Sequence, residues 1–88
     1  LGNGVFCNCK GLTSVTIPNS ITSLGEGVFY GCTSLTSITI PNSVKSIGHM
    51  AFLGCSGLTN IKIPNSVRDI GMNVFDDHTK VYREYESL

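Results

Sequence analysis

Cys9, Cys32 and Cys55 recur at a spacing of 23 residues, and His78 falls at the next step of that spacing. Thiols and an imidazole held in register invite three chemistries: a disulfide, a metal site, or a nucleophile beside a base. Equivalent residues of stacked repeats stand roughly 5 Å apart, the separation of neighbouring strands. A disulfide tolerates that Cα separation but needs Cβ atoms turned toward one another, which translated copies of one residue do not offer. Zinc draws its ligands to within about 2.0–2.3 Å of a single point, whereas a column spreads them along a line. The column is therefore expected to be buried and reduced, its thiols acting as small apolar groups. A bridge between copies is the alternative, and His78 reads as a polar substitute at the end of the row. Cys7 lies off the column, at the position held by Tyr30, Leu53 and Asp76, and is expected at the surface, as is His49.

Other catalytic constellations do not assemble. Ser20, Ser43 and Ser66 occupy equivalent places with no histidine recurring beside them, so the base that a nucleophile requires is missing. Their hydroxyls are expected to satisfy backbone groups at a turn. Paired carboxylates occur only near the end of the chain, at Asp76-Asp77 and Glu84/Glu86, with nothing around them to raise a pKa. Neither a phosphate-cradling glycine loop nor an Asn-x-Ser/Thr sequon is present. The reading is that of a non-enzyme with no cofactor and no metal.

The elements that must position these residues follow from the same period. "LTSVTIPNSITSLGEGVFYGCTS" (12–34), "LTSITIPNSVKSIGHMAFLGCSG" (35–57) and "LTNIKIPNSVRDIGMNVFDDHTK" (58–80) are three copies of one unit, and residues 1–11 fit the back half of another. Apolar residues at Leu12, Val15 and Ile17, and at their equivalents 23 and 46 positions on, alternate with small polar ones in a run rich in β-branched types, the pattern of a short strand. So long a return path between equivalent strands requires them to run parallel. Pro18, Pro41 and Pro64 end each strand. A second apolar pair follows at Ile21/Leu24, Val44/Ile47 and Val67/Ile70, and then Gly25, Gly48 or Gly71, expected to mark a turn that a side chain would strain. Phe29, Phe52 and Phe75, each behind Val28, Ala51 or Val74, are expected to point inward from one helical or 3₁₀ turn, with Val5 and Phe6 matching them in the partial copy. Asn8, Gly31, Gly54 and Asp77 share one position and a tolerance of the left-handed backbone region.

Eighty-eight residues allow one domain at most. A unit too small to bury its own apolar face gains a core by stacking on its neighbours, with about three units as a minimum. Six Lys+Arg balance six Asp+Glu and only 14% of residues are charged, so the basic footprint of a nucleic-acid or anionic-membrane binder is absent. No run approaches the roughly 20 apolar residues of a membrane span. Five of the acidic residues fall in 68–88, and "VYREYESL" (81–88) leaves the pattern, which reads as a solvated C-terminal cap or tail. The chain opens at Leu1 in mid-repeat, and a fragment of a longer array is expected, with any leader or anchor upstream.

The shared pattern L-x-x-[IV]-x-I-P-x-S-[IV]-x-x-[IL]-G-x-x-[AV]-F-x-[GND]-C resembles the leucine-rich repeat in its BspA-like subclass, over residues 1–80. Period, proline, glycine, phenylalanine and cysteine all recur in register; the last copy departs, with Asp77-His78 in place of Gly-Cys. The resemblance implies a leucine-rich-repeat solenoid: a curved, right-handed, β-rich coil with short parallel strands on its concave side and turns or short helical segments on the return path. It also implies a place in large cell-surface or secreted proteins of host-associated bacteria and some parasitic protists, and attachment to host cells and matrix proteins.

On such a coil the outward residues of the strands are Thr13, Ser14 and Thr16, then Thr36, Ser37 and Thr39, then Thr59, Asn60 and Lys62. This field of hydroxyls is the expected partner-binding face. It lacks the aromatic and arginine anchors that concentrate binding energy, so a single module should bind protein weakly and gain by repetition. Tyr30, Met50 and Leu53 are a second candidate, a small apolar patch beside the turns. The competing reading is a structural spacer or intracellular scaffold whose ends matter more than its face. An apolar cross-section at the first repeat would favour end-to-end association of the fragment.

Overall fold

The computed structural model describes residues 1–84. Seven short strands follow one another: β1 (Ser14–Thr16), β2 (Ser23–Leu24), β3 (Ser37–Thr39), β4 (Ser46–Ile47), β5 (Asn60–Ile63), β6 (Asp69–Ile70) and β7 (Lys80–Arg83). All pairing is parallel, as the long return paths require. β1 pairs with β3, Ser14 opposite Ser37 and Thr16 opposite Thr39, while β5 pairs with β7. β3 and β5 lie side by side without ladder pairing, so the concave side is built of two double rungs rather than one unbroken sheet. The second member of each later apolar pair, Leu24, Ile47 or Ile70, lies with the residue before it in a separate ladder, β2-β4-β6, which the sequence pattern alone did not identify as strand.

Between these ladders the chain turns, and the expected helical or 3₁₀ segment around each phenylalanine is not formed. The hydrogen bonds explain why. Val28, Tyr30 and Cys32 donate their N–H groups three residues back, to Gly25, Gly27 and Phe29. The N–H groups between them, on Gly27, Phe29 and Gly31, donate instead to His49, Ala51 and Leu53 of the next repeat. A helical or 3₁₀ segment needs such local bonds at consecutive residues; here every second donor is committed to holding successive repeats together, so the turns stay isolated. The turns recur because the backbone enters the left-handed region twice per repeat. One row is the expected Asn8, Gly31 and Gly54, with φ of 59°, 73° and 81°; the other is Gly4, Gly27, Met50 and Asn73, with φ of 63°, 61°, 58° and 54°. Asp77 does not join the first row.

The core is a set of rows, each contributed by one position of the repeat. Ile17, Ile40 and Ile63 form one, Leu35 and Leu58 another, and Val28, Ala51 and Val74 a third, all buried. Phe6, Phe29, Phe52 and Phe75 stack with near-parallel rings, their centroids 5.5, 5.3 and 5.5 Å apart. Such separations lie within the range that aromatic pairs favour, and the rung spacing imposes them. Continuity across repeats is the source of the burial: Phe29 and Phe52, flanked on both sides, are fully enclosed, whereas Phe6 and Phe75 are half-buried.

Gly48 shows how closely the repeats approach. A Cβ there would lie 2.7 Å from the Glu26 nitrogen and 2.8 Å from the Gly25 carbonyl carbon of the preceding repeat. Gly25, Gly48 and Gly71 are therefore required by contact between adjacent backbones and not, as expected, by a strained turn; none has a positive φ.

Candidate partner-binding face

Side-chain alternation along β1, β3 and β5 turns Ser14 and Thr16, Ser37 and Thr39, and Asn60 and Lys62 away from the core. Thr13, Thr36 and Thr59 precede these strands, and all nine expected residues are exposed. The rungs bring them into three rows across the face. Part of the polar capacity is already engaged: the Thr36 hydroxyl donates to the Thr13 carbonyl at 3.3 Å, and the Asn60 amide to the Thr59 hydroxyl at 3.4 Å. Beyond the strand ends the face runs into a groove of about 620 Å³ whose walls include Thr16, Thr39, Lys62, Asn19 and Asn42 and whose apolar lining includes Ile38. Ile38 is only half-buried where the buried Ile61 occupies the equivalent position on β5.

Sequence reasoning missed a fourth rung. Residues 81–83, which leave the repeat pattern, belong to β7, with Asn60 opposite Lys80 and Lys62 opposite Tyr82. Lys80 pairs at an offset of 20 residues where Ser37 pairs with Ser14 at 23, so the return path has been shortened and the period hides the strand. The run Thr79-Lys80-Val81-Tyr82 carries the same polar-apolar alternation as Thr59-Asn60-Ile61-Lys62, and that was the available signal. Lys80 and Tyr82 thus extend the face with the aromatic ring it otherwise lacks and a second charge beside Lys62; Tyr82 is 47% exposed.

Cys32 and Cys55 are fully buried and Cys9 half-buried, all as free thiols, and Cys7 is exposed. Each buried thiol donates to a carbonyl one repeat back, Cys32 to Phe6 at 3.0 Å and Cys55 to Phe29 at 3.1 Å. Burial raises both above the ordinary value of 9.0, pushing Cys55 up to about 11. His78 leaves the column: its Nε2 lies 3.1 Å from the Ser56 carbonyl and its Nδ1 3.9 Å from the Asp76 carboxylate. Among the described residues no three His, Cys, Asp or Glu side chains gather to hold a metal, and no helix is long and apolar enough to cross a membrane. His49 is exposed, as expected, yet its Nδ1 accepts the Met72 N–H at 2.8 Å, as the Asn3 side-chain oxygen accepts that of Glu26 at 2.8 Å.

The serine row departs from expectation. Ser43 and Ser66 have buried hydroxyls with no partner among the described residues; the turns they occupy close through backbone bonds instead, Val44 N–H to Pro41 and Val67 N–H to Pro64. Tyr30 and Met50 of the second candidate patch share a shallow depression with Cys7 and Glu26; Leu53 does not line it.

Residues 1–84 match the family described as BspA type Leucine rich repeat region (6 copies). The comparison with curated proteins finds no match. Among solved structures, a leucine rich cell surface protein from Faecalibacterium prausnitzii A2-165 is 38% identical with a TM-score of 0.84, over 94% of this chain and 23% of that one. A leucine-rich repeat protein from Bacteroides ovatus ATCC 8483 is 30% identical with a TM-score of 0.77, over 98% of this chain and 25% of that one. The T. pallidum Leucine Rich Repeat protein is 29% identical with a TM-score of 0.72, over 81% of this chain and 44% of that one. This chain therefore spans a quarter or less of the first and second of these relatives and under half of the third. A concave field of exposed hydroxyls on parallel rungs, a core of stacked equivalent residues, and these matches lead to one conclusion: the chain belongs to the BspA-type leucine-rich repeat family.

Proposed function

We propose that this chain is a non-catalytic protein-interaction and adhesion module of a cell-surface or secreted leucine-rich repeat protein, holding host or matrix proteins against its concave face. The observation that carries the reading is the arrangement of that face: nine polar side chains, all exposed, aligned on parallel rungs beside a groove. The family and the surface protein of F. prausnitzii support the location. Binding on such a face is a matter of many shallow polar contacts, and a long array strengthens it by presenting them repeatedly.

A structural spacer or intracellular scaffold is the second reading, favoured by the continuity of every core row from one repeat to the next. Thr16→Gln with Thr39→Gln separates the two. The longer neutral side chains would obstruct the face without entering the core and without setting like charges opposite one another on β1 and β3. On the adhesion reading, capture of immobilised matrix proteins is lost while the thermal melt is unchanged; unchanged capture favours the spacer. Protease shaving of intact source cells tests location. Release of this segment from unbroken cells supports a surface protein, and protection until lysis removes the adhesin reading.

A further inference from the structure

We propose that the recognition centre of the concave face is the cluster of Lys62, Tyr82 and Lys80 on β5 and β7, and that it takes an extended acidic polypeptide segment with carboxylates two residues apart. The proposal rests on the reading of the concave face as the binding surface and names the chemistry of its partner.

Register places the cluster. Lys62 stands opposite Tyr82 and Asn60 opposite Lys80, and all four residues are exposed. Across the outward positions of the four rungs, every other residue is a neutral hydroxyl or amide, so the two lysines are the only charges there. Neither lysine forms an ion pair among the described residues. Glu84 lines the same groove as Lys62, and its carboxylate accepts the Asn65 N–H at 3.3 Å. Two cations therefore flank one exposed aromatic ring at the end of a hydroxyl field, the combination of charge and rigid apolar area that anchors a protein partner.

Spacing selects the ligand. Lys62 and Lys80 are diagonal neighbours on adjacent strands, which separates their Cα atoms by roughly 8 Å. Alternate residues of an extended chain lie about 7 Å apart on one side, within reach of two flexible lysine side chains. A segment crossing the rungs obliquely can therefore set two carboxylates on the ammonium groups, rest the intervening backbone on Tyr82, and pass its polar groups over Thr39 and Thr16. Two cations on a chain of zero net charge are too few for the sequence-independent grip of a polyanion such as a sulfated glycan or nucleic acid.

The test titrates a fluorescein-labelled peptide of alternating Glu and Ser into the protein and follows its anisotropy, with the matching Gln-Ser peptide and heparin as comparisons. Expected is saturable binding of the Glu-Ser peptide alone. Lys62→Gln and Lys80→Gln should each weaken it about threefold, Tyr82→Ser about tenfold, and added salt should weaken it further; Tyr82→Phe should retain binding. Heparin bound as tightly as the peptide would overturn the assignment in favour of a general polyanion site. Peptide binding that ignores the lysine variants but is lost in the Thr16→Gln, Thr39→Gln protein, which crowds the face without adding charge, would overturn the cluster and leave the concave reading standing. Binding indifferent to both sets of changes would overturn both, and no peptide binding up to about 1 mM would overturn the proposal while capture of matrix proteins still judges the face.

Discussion

The Cys55 thiol donates to the Phe29 carbonyl at 3.1 Å, one repeat back, and the Cys32 thiol repeats the contact to Phe6 at 3.0 Å. A cysteine at this position is thus more than a small apolar filler: it ties the backbone beneath one stacked ring to the repeat that follows. The same geometry keeps the thiols protonated, because a thiolate would be desolvated and would lose the hydrogen it donates.

Two outcomes follow for the thiols. With a small alkylating reagent on the native protein near neutral pH, Cys7 should be modified first and Cys55 only at the rate of unfolding, as read by mass spectrometry of digested samples. The pH dependence has a definite sign. In the unfolded chain Cys55 loses its proton around its ordinary value of 9.0, whereas in the folded chain burial holds it up to about 11. Stability from this group is therefore fully present below 9.0 and is lost as pH rises through about 11. The loss in melting temperature across that window should shrink in a Cys55→Ala protein; an unchanged slope would contradict the account.

Gly48 and Gly11 make a matched pair for the packing of repeats. A Cβ at Gly48 would enter the backbone of the preceding repeat at 2.7 Å, while one at Gly11 meets nothing within 4 Å. The chain around Glu26 cannot move aside as a side-chain tip could, so Gly48→Ala should cost about 3 kcal/mol, lowering the melting temperature by roughly 15 °C. Gly11→Ala should stay within about 0.5 kcal/mol of the parent. Equal melts for the two variants would mean that contact between adjacent backbones is not what keeps glycine at this register.

What the sequence disclosed and what it concealed divide along a physical line. Positions that bury an apolar side chain, such as Leu35, Ile40, Phe52 and Cys55, repeat their residue type because each must match the row it stacks in, and they were legible. Backbone commitments were less so. The alternation of donors between local turns and the next repeat is invisible in side chains, and it is what replaces the expected helical turn. Met50 adopts a φ of 58° where Gly27 adopts 61°, a choice its residue type does not advertise. β7 was concealed by a shortened return path, and with it the two residues, Lys80 and Tyr82, that change the character of the face. His49 is exposed, as its variable position in the repeat implies, but its role as acceptor for Met72 depends on two residues 23 positions apart lying side by side, which no residue type advertises.

Thr79 links the hidden rung to the array. Its hydroxyl donates to the Leu58 carbonyl at 2.9 Å while the next residue, Lys80, donates its N–H to the Thr59 carbonyl at 2.9 Å. Thr79→Val keeps the shape of the side chain and removes the donor, leaving a half-buried carbonyl short of one partner, a change of about 1 kcal/mol. Because β7 carries Lys80 and Tyr82, the damage should register twice: faster amide exchange at Lys80 and Tyr82 than at Val15 or Ile38, and weaker capture of the Glu-Ser peptide with Lys62 untouched. Thr79→Ser, which keeps the hydroxyl and loses only a methyl group, should restore both. If Thr79→Val changes neither exchange nor binding, β7 is held by its ladder pairing alone, and the hydroxyl contact has no part in presenting the cluster.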